Sequence, residues 1–105
     1  MPLDVEIALI NAIEGEELPY QFLQDTDITW SSPPPNILPP FKYIRCQCCG
    51  PSSGYEIALK YGPHICRINV TAWGINYRKS TPTTNSMELV LIKKQAPYQM
   101  ELIFL

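Results

Sequence analysis

Four cysteines and one histidine are the residues in this sequence whose side chains could carry metal or redox chemistry. Three cysteines fall within four positions, and the fourth, Cys66, follows His64 by two. Alternation along a strand would put Cys46 and Cys48 on one face and Cys49 on the other, so three thiolates could converge on one tetrahedral ion only if the strand ends or bulges at Gln47. The spacing also lacks the two separated pairs of a zinc finger or ribbon. We therefore predict no metal, no cofactor and buried reduced thiols, with a disulfide from Cys66 as the alternative.

Nucleophilic catalysis needs a base within reach of the nucleophile and a third group that orients this base. His64 is the one histidine, and no acidic residue stands within seven positions of it. Glycine-rich phosphate loops and nucleophile elbows are absent. Asp25 and Asp27, around Thr26, could offer oxygen ligands to calcium, but without the glycine and distal glutamate of a dedicated loop they are typical of a solvated turn. The sequence predicts a protein that is not an enzyme and has no catalytic residues.

Aromatic residues outside the clearest strands give the best indication of function. Trp30 precedes a proline-rich segment, and Trp73 opens a segment that continues with Tyr77, Arg78 and Lys79. Rings beside cations suit insertion at a headgroup boundary or stacking on a sugar, since each ring combines an apolar body with a polar edge. These five residues are the candidate ligand-binding site. The alternative is that the two tryptophans close the ends of a hydrophobic core.

The length and composition limit which elements can position these side chains. The 105 residues make one domain, residues 1–105, because two cores would not fit. A net charge of −2 lacks the basic footprint of a nucleic-acid binder. With 46% hydrophobic and 17% charged residues the chain is too apolar to be disordered, and it has no apolar run of bilayer-spanning length.

Alternation of apolar and polar residues predicts short strands in almost every segment between turn signals. The predicted strands are 3–13, 18–23, 28–30, 41–49, 55–61, 65–72, 87–93 and 98–105. Segments 31–40 and 73–85 are predicted loops. The first has five prolines and cannot join a ladder, which favours a crossover between sheets over a polyproline ligand. The fold class is therefore all-β, an antiparallel, jelly-roll-like β-sandwich of seven to eight short strands.

Charge is uneven along the chain. Residues 1–27 contain seven carboxylates and no cation, whereas residues 42–105 contain eight cations and three carboxylates. If strands from the two parts interleave in one sheet, cross-strand pairing cancels the field, and this is the plainer expectation. If they segregate, one basic face remains that favours an anionic surface.

The order of landmarks over residues 8–76 resembles that of the aegerolysins, small acidic fungal and bacterial β-sandwich proteins. A first strand ends in Ile10-Asn11, and Trp30 precedes a stretch that contains prolines. A cysteine-bearing strand then leads into the loop 50–54, and Trp73-Gly74 follows later. The resemblance implies membrane-lipid recognition and cooperation with a larger pore-forming partner, as a component of a cytolysin.

These observations predict a non-enzymatic protein that binds a membrane lipid headgroup or a membrane surface. The alternatives are a small glycan-binding lectin and a self-assembling interaction module. The module follows from the apolar segment 100–105, which at a sheet edge would pair with a second copy and give a homodimer. Residues 1–4 have no secretory signal pattern, which predicts a cytoplasmic location, and secretion without a recognisable signal stays open. The triplet 69–71 is a glycosylation sequon that we expect to be silent.

Overall fold

The computed structural model describes residues 2–23 and 27–105, and this part of the chain is an all-β sandwich of ten strands. The strands are β1 (Leu3–Asn11), β2 (Leu18–Pro19), β3 (Thr29–Ser32), β4 (Ile37–Leu38), β5 (Tyr43–Gly50), β6 (Tyr55–Tyr61), β7 (His64–Thr71), β8 (Gly74–Ser80), β9 (Met87–Lys93) and β10 (Tyr98–Phe104). No helix in the described ranges is long and apolar enough to cross a bilayer. Asp25 and Thr26, from the acidic turn considered above for calcium, lie outside the described residues.

Two larger sheets and one short sheet make up the sandwich. The first has five strands in the order β3-β5-β1-β10-β9, and the second has three in the order β6-β7-β8. Strands β2 and β4 form a separate two-stranded sheet. Most pairs are antiparallel, as predicted, but β1 and β10 run parallel in a register from Val5↔Tyr98 to Asn11↔Phe104.

The core lies between the two larger sheets, because each contributes the apolar side of its alternating strands. In β10 the residues Tyr98, Met100, Leu102 and Phe104 are buried, while the residues between them are half-buried. Two buried tyrosines also join the layers through hydrogen bonds. The hydroxyl of Tyr55 donates to the Leu3 carbonyl at 2.8 Å, and that of Tyr98 donates to the Thr71 carbonyl at 2.7 Å.

The C-terminal strand lies inside its sheet and not at an edge. Strand β10 is hydrogen-bonded to β1 on one side and to β9 on the other. The expectation that residues 100–105 offer an open template to a second copy is therefore wrong. The edges of this sheet are β3 and β9, and each has an irregularity in its pairing, between Trp30 and Ser32 and between Gln99 and Met100. Such bulges oppose edge-to-edge pairing.

Two predicted loops contain strands. Residues 74–80, inside the predicted loop 73–85, form the edge strand β8, which is largely exposed, so its residues lack the apolar alternation that marks a half-buried strand. The proline segment starts from β3 and ends at β5, which are neighbours in the five-stranded sheet, and between them it reaches the short sheet through β4. Within it Ile37 and Leu38 keep their amide hydrogens and pair with β2. Strand β2 itself is only two residues long and ends at Pro19.

Candidate functional site

Three of the four cysteines line the sandwich interior, and the four do not form a site. Cys46, Cys48 and Cys66 are buried, Cys49 is half-buried, and all four are free thiols. Cys46 and Cys48 share one face of β5 and Cys49 takes the other, as predicted. Burial raises the pKa of the Cys46 thiol to about 12 and that of Cys66 to about 12. The described residues include no group of three or more His, Cys, Asp or Glu side chains that could hold a metal ion.

This burial predicts selective alkylation of the native protein. Iodoacetamide at neutral pH should modify Cys49 alone, because the thiolate is the reacting form and the other three sulfurs are buried. Intact-mass spectrometry should show one carbamidomethyl group per native chain and four after unfolding. A Cys49→Ser variant should show none in the native state. Labelling of Cys46 or Cys66 in the native protein would contradict the placement.

The single histidine is also a core residue. His64 is 1% exposed, its Nδ1 is hydrogen-bonded to Thr81 Oγ1, and its ring lies 5.4 Å from that of Phe104. Within the described residues its Nε2 has no hydrogen-bond partner. Burial lowers the pKa of His64 from 6.5, and the charge of Glu16 opposes this shift in part. The imidazole is therefore neutral in the folded protein at neutral pH.

A neutral buried histidine makes stability depend on pH. Below pH 6.5 the unfolded chain binds a proton at residue 64 that the folded chain does not, so the free energy of unfolding falls as the pH drops through 6.5 toward the lower folded pKa. The slope is at most about 1.4 kcal/mol per pH unit for one group. Urea unfolding should therefore show a steeper loss between pH 7 and 5 in the native chain than in His64→Gln, whose carboxylates are the same. Equal slopes would mean that His64 titrates normally.

Trp73 is the most prominent side chain of the candidate site. Thr71 pairs with Gly74, so Ala72 and Trp73 form a two-residue connection between β7 and β8. The Thr71 hydroxyl holds this turn, because Oγ1 accepts hydrogen bonds from the Trp73 nitrogen at 3.2 Å and the Gly74 nitrogen at 3.1 Å. The indole is 96% exposed at the tip.

The residues after Trp73 divide between the two faces of β8. Arg78 lies opposite Arg67 of β7 on the outer face, which looks away from the core. Tyr77 lies opposite buried Ile68 and so takes the inner face, where it is 40% exposed at the sheet edge. Periodicity could not place these residues, because the register of β8 follows from the Thr71 turn.

Lys79 also takes the inner side and closes the edge of the sandwich. It lies opposite Cys66 in the β7–β8 register. Its Nζ donates a hydrogen bond to the Met87 carbonyl at 2.7 Å and lies 3.7 Å from Glu88 Oε1. Strand β8 is thereby tied to β9, so the Lys79 ammonium is already engaged with protein groups.

The other tryptophan lies apart from this hairpin. Trp30 belongs to β3, at the edge of the five-stranded sheet opposite to β9. It pairs with buried Cys48, is half-buried and packs against the core. The alternative role of closing the core therefore fits Trp30, whereas Trp73 stands in solvent.

Strands from the two parts of the sequence interleave in the five-stranded sheet, where β1 lies between β5 and β10, but the net charge still differs between the two larger sheets. The strands of the three-stranded sheet carry four cations and one carboxylate, which are Lys60, Arg67, Arg78, Lys79 and Glu56. The strands of the five-stranded sheet carry an acidic excess, with Asp4, Glu6, Glu88 and Glu101 against Arg45 and Lys93. Interleaving does neutralise Arg45, which lies 3.3 Å from Glu6. The sheet that ends in Trp73 is the basic one.

The outer face of this basic sheet also holds Glu56 and Asn76, which the sequence alone did not single out, beside Asn69. Asn69 and Asn76 are directly opposite each other, and Glu56 is opposite Asn69 on the other side. Alternation along β7 identifies Asn69 as an outward residue. Only the pairing register brings Asn76 and Glu56 beside it.

Comparison with known proteins bears on the fold alone. No family model matches the sequence, and no curated protein matches it. Among solved structures the chain is similar to the crystal structure of IP-1A from Alcaligenes faecalis, with a TM-score of 0.63 over 97% of this chain and 89% of that chain. The two sequences are 7% identical, so the likeness supports the β-sandwich and says nothing about activity. The resemblance to the aegerolysins stays a prediction.

Proposed function

We propose that the protein binds a membrane lipid headgroup or membrane surface through the β7–β8 hairpin, as a non-enzymatic binding protein. The exposure of Trp73 carries the proposal. Transfer of a large apolar side chain from water to an apolar environment is favourable by about 1.5–3 kcal/mol. Because folding leaves Trp73 in solvent, this transfer free energy can still contribute to the binding of a partner. Indoles favour the membrane–water boundary because one part of the ring is apolar and its N–H is polar.

The charge of the same sheet supports an anionic surface as the target. The strands of this sheet carry four cations and one carboxylate, and Arg78 on the hairpin has no ion-pair partner among the described residues. A basic residue near an anionic leaflet contributes about 1 kcal/mol. The cytoplasmic leaflet is the anionic one, which agrees with the proposed cytoplasmic location. Within the site, Trp73 inserts, Arg78 faces the headgroups, Tyr77 lines the sheet edge and Lys79 fixes β8 to β9.

The other proposed roles have less support. The edges of the two larger sheets are β3, β9, β6 and β8. A homodimer through these edges is opposed by the bulges at β3 and β9, and β8 carries Arg78 and Lys79. A role as a cytolysin component with a pore-forming partner rests on the aegerolysin resemblance. A glycan ligand is favoured by the polar outer face of β6, β7 and β8.

Vesicle sedimentation tests the proposal. We expect the protein to sediment with phosphatidylcholine vesicles that contain phosphatidylserine, and Trp73→Ala to bind about 10–100-fold more weakly because the inserted ring is lost. Phe22→Ala is the matched control, since Phe22 is also exposed but lies after β2 and outside the hairpin. Equal binding by Trp73→Ala and the native chain, or no binding of the native chain to any vesicle, would contradict the proposal.

A further inference from the structure

A row of polar side chains crosses the outer face of the three-stranded sheet. Glu56, Asn69 and Asn76 occupy directly opposite positions on β6, β7 and β8. Such positions set neighbouring Cβ atoms about 5 Å apart. Both asparagines are exposed, and within residues 2–23 and 27–105 neither side-chain amide forms a hydrogen bond. The two amides therefore present unused donors and acceptors side by side, next to Glu56, whose Oε1 accepts a hydrogen bond from Arg67.

This row borders a shallow depression beside the Trp73 hairpin. The depression has a volume of about 500 Å³ and is also lined by Ser53 and Thr71. An amide offers two donors and one acceptor, and a carboxylate offers acceptors only. Adjacent hydroxyls of a sugar or polyol ring each donate and accept, so they match two amides and one carboxylate better than a simple ion would.

The next row along the same face carries charge. Arg67 and Arg78 lie directly opposite each other, which is unfavourable for two like charges without an anion. Arg67 Nη1 is held by Glu56 Oε1 at 3.0 Å. Arg78 has no ion-pair partner among the described residues. A second depression of about 220 Å³ lies between the two arginines, Ile65, Lys79 and Ser80. A guanidinium there suits a carboxylate, sulfate or phosphate group, which it can bind through two hydrogen bonds.

We infer that the headgroup bound on this face is a polyhydroxylated ring that carries an anionic group. Its hydroxyls bind the amide row at Asn69 and Asn76, its anionic group binds Arg78, and Trp73 enters the bilayer beside it. Acidic glycolipids and inositol phospholipids share this chemistry. The inference rests on the proposed function, because it names the class of headgroup for the same hairpin and sheet.

The inference is tested with vesicles whose lipids carry the hydroxylated ring, the anionic group or both. Four kinds are compared in a phosphatidylcholine background: galactosylceramide supplies hydroxyls without charge, phosphatidylserine supplies charge without a ring, and phosphatidylinositol phosphate and a monosialoganglioside supply both. We expect at least one of the last two to bind about 10-fold or more tightly than either single-feature vesicle, and comparison of those two identifies the source.

Two variants test whether Arg78 binds the anionic group and whether Asn69 and Asn76 bind the hydroxyls. Arg78→Gln should reduce binding to the preferred charged ring lipid to the level of galactosylceramide vesicles. The double variant Asn69→Ala/Asn76→Ala should reduce it to the level of phosphatidylserine vesicles. Lys42→Gln, an exposed cation outside this sheet, is the control for net charge. Protein expressed in bacteria is used, because a glycan at the sequon on Asn69 would cover the amide row.

The outcomes separate this inference from the proposed function. Binding that depends on Trp73 but is equal for all charged vesicles, or equal for galactosylceramide and the charged ring lipids, overturns the inference and leaves the hairpin proposal standing. The same holds if both variants bind like the native chain while their melting curves are unchanged. No binding to any vesicle overturns both.

Discussion

Deleting residues 100–105 should unfold the protein, because these residues form most of β10, an interior strand of the five-stranded sheet. Without β10, strands β1 and β9 lose their shared neighbour and the core loses Met100, Leu102 and Phe104. A large-to-alanine change at one such site, Phe104→Ala, should cost about 3–5 kcal/mol. A domain has about 5–15 kcal/mol in total, so removal of all three exceeds what the fold can lose.

Circular dichroism and urea unfolding measure this effect. The truncated chain should lack a cooperative unfolding transition, and Phe104→Ala should unfold at a markedly lower urea concentration. Leu105→Ala is the control, because Leu105 follows β10 and is 46% exposed, so its loss should change stability by about 0.5 kcal/mol or less. A truncated chain that stays folded and only loses oligomeric mass would restore the edge-template hypothesis.

Replacing Asn11 with leucine should be the most damaging change of a polar residue. Asn11 is fully buried at the end of β1, and its amide nitrogen donates to the carbonyls of Glu16 at 2.7 Å and Leu38 at 3.0 Å. Its side-chain oxygen accepts a hydrogen bond from the Ile13 nitrogen at 2.9 Å. The variant would leave three backbone groups without these partners, so we expect a loss of about 3–5 kcal/mol.

Thermal unfolding checks this loss. For a domain of this size about 3 kcal/mol corresponds to a fall in melting temperature of roughly 12 °C or more. Asn36→Leu is the matched control, since it makes the same change at an exposed position before β4 and should leave the melting temperature almost unchanged. A small shift in Asn11→Leu would mean that these hydrogen bonds do not hold the loop after β1 against β4.

Strands that bury one face could be predicted from the sequence. The predicted segment 55–61 coincides with β6, and 87–93 coincides with β9. Both could be predicted because a strand that buries one face alternates apolar and polar residues. Strand β8 was missed because an edge strand with little burial on either face leaves no such imprint. Strand β4 was missed because the prolines around Ile37 and Leu38 conceal a two-residue pairing.

The candidate site was predictable in its residue types but not in its arrangement. Trp73 followed by cations indicated a contact surface, yet Trp30 carried the same signal and packs against the core. Composition cannot distinguish a ring on a hairpin tip from a ring at a core edge, since the difference lies in long-range pairing. The amide row likewise depends on register, because Asn69 and Asn76 become neighbours only when Thr71 sets the turn.

The fluorescence of Trp73 on membrane contact tests the central claim most directly. In a Trp30→Phe background Trp73 is the one remaining tryptophan, so its emission reports the hairpin tip alone. We predict red-shifted emission that acrylamide quenches freely in buffer, and a blue shift with loss of quenching when vesicles of phosphatidylcholine and phosphatidylserine are added. Emission already blue-shifted and protected in buffer, or emission unmoved by vesicles to which the protein sediments, would contradict the account.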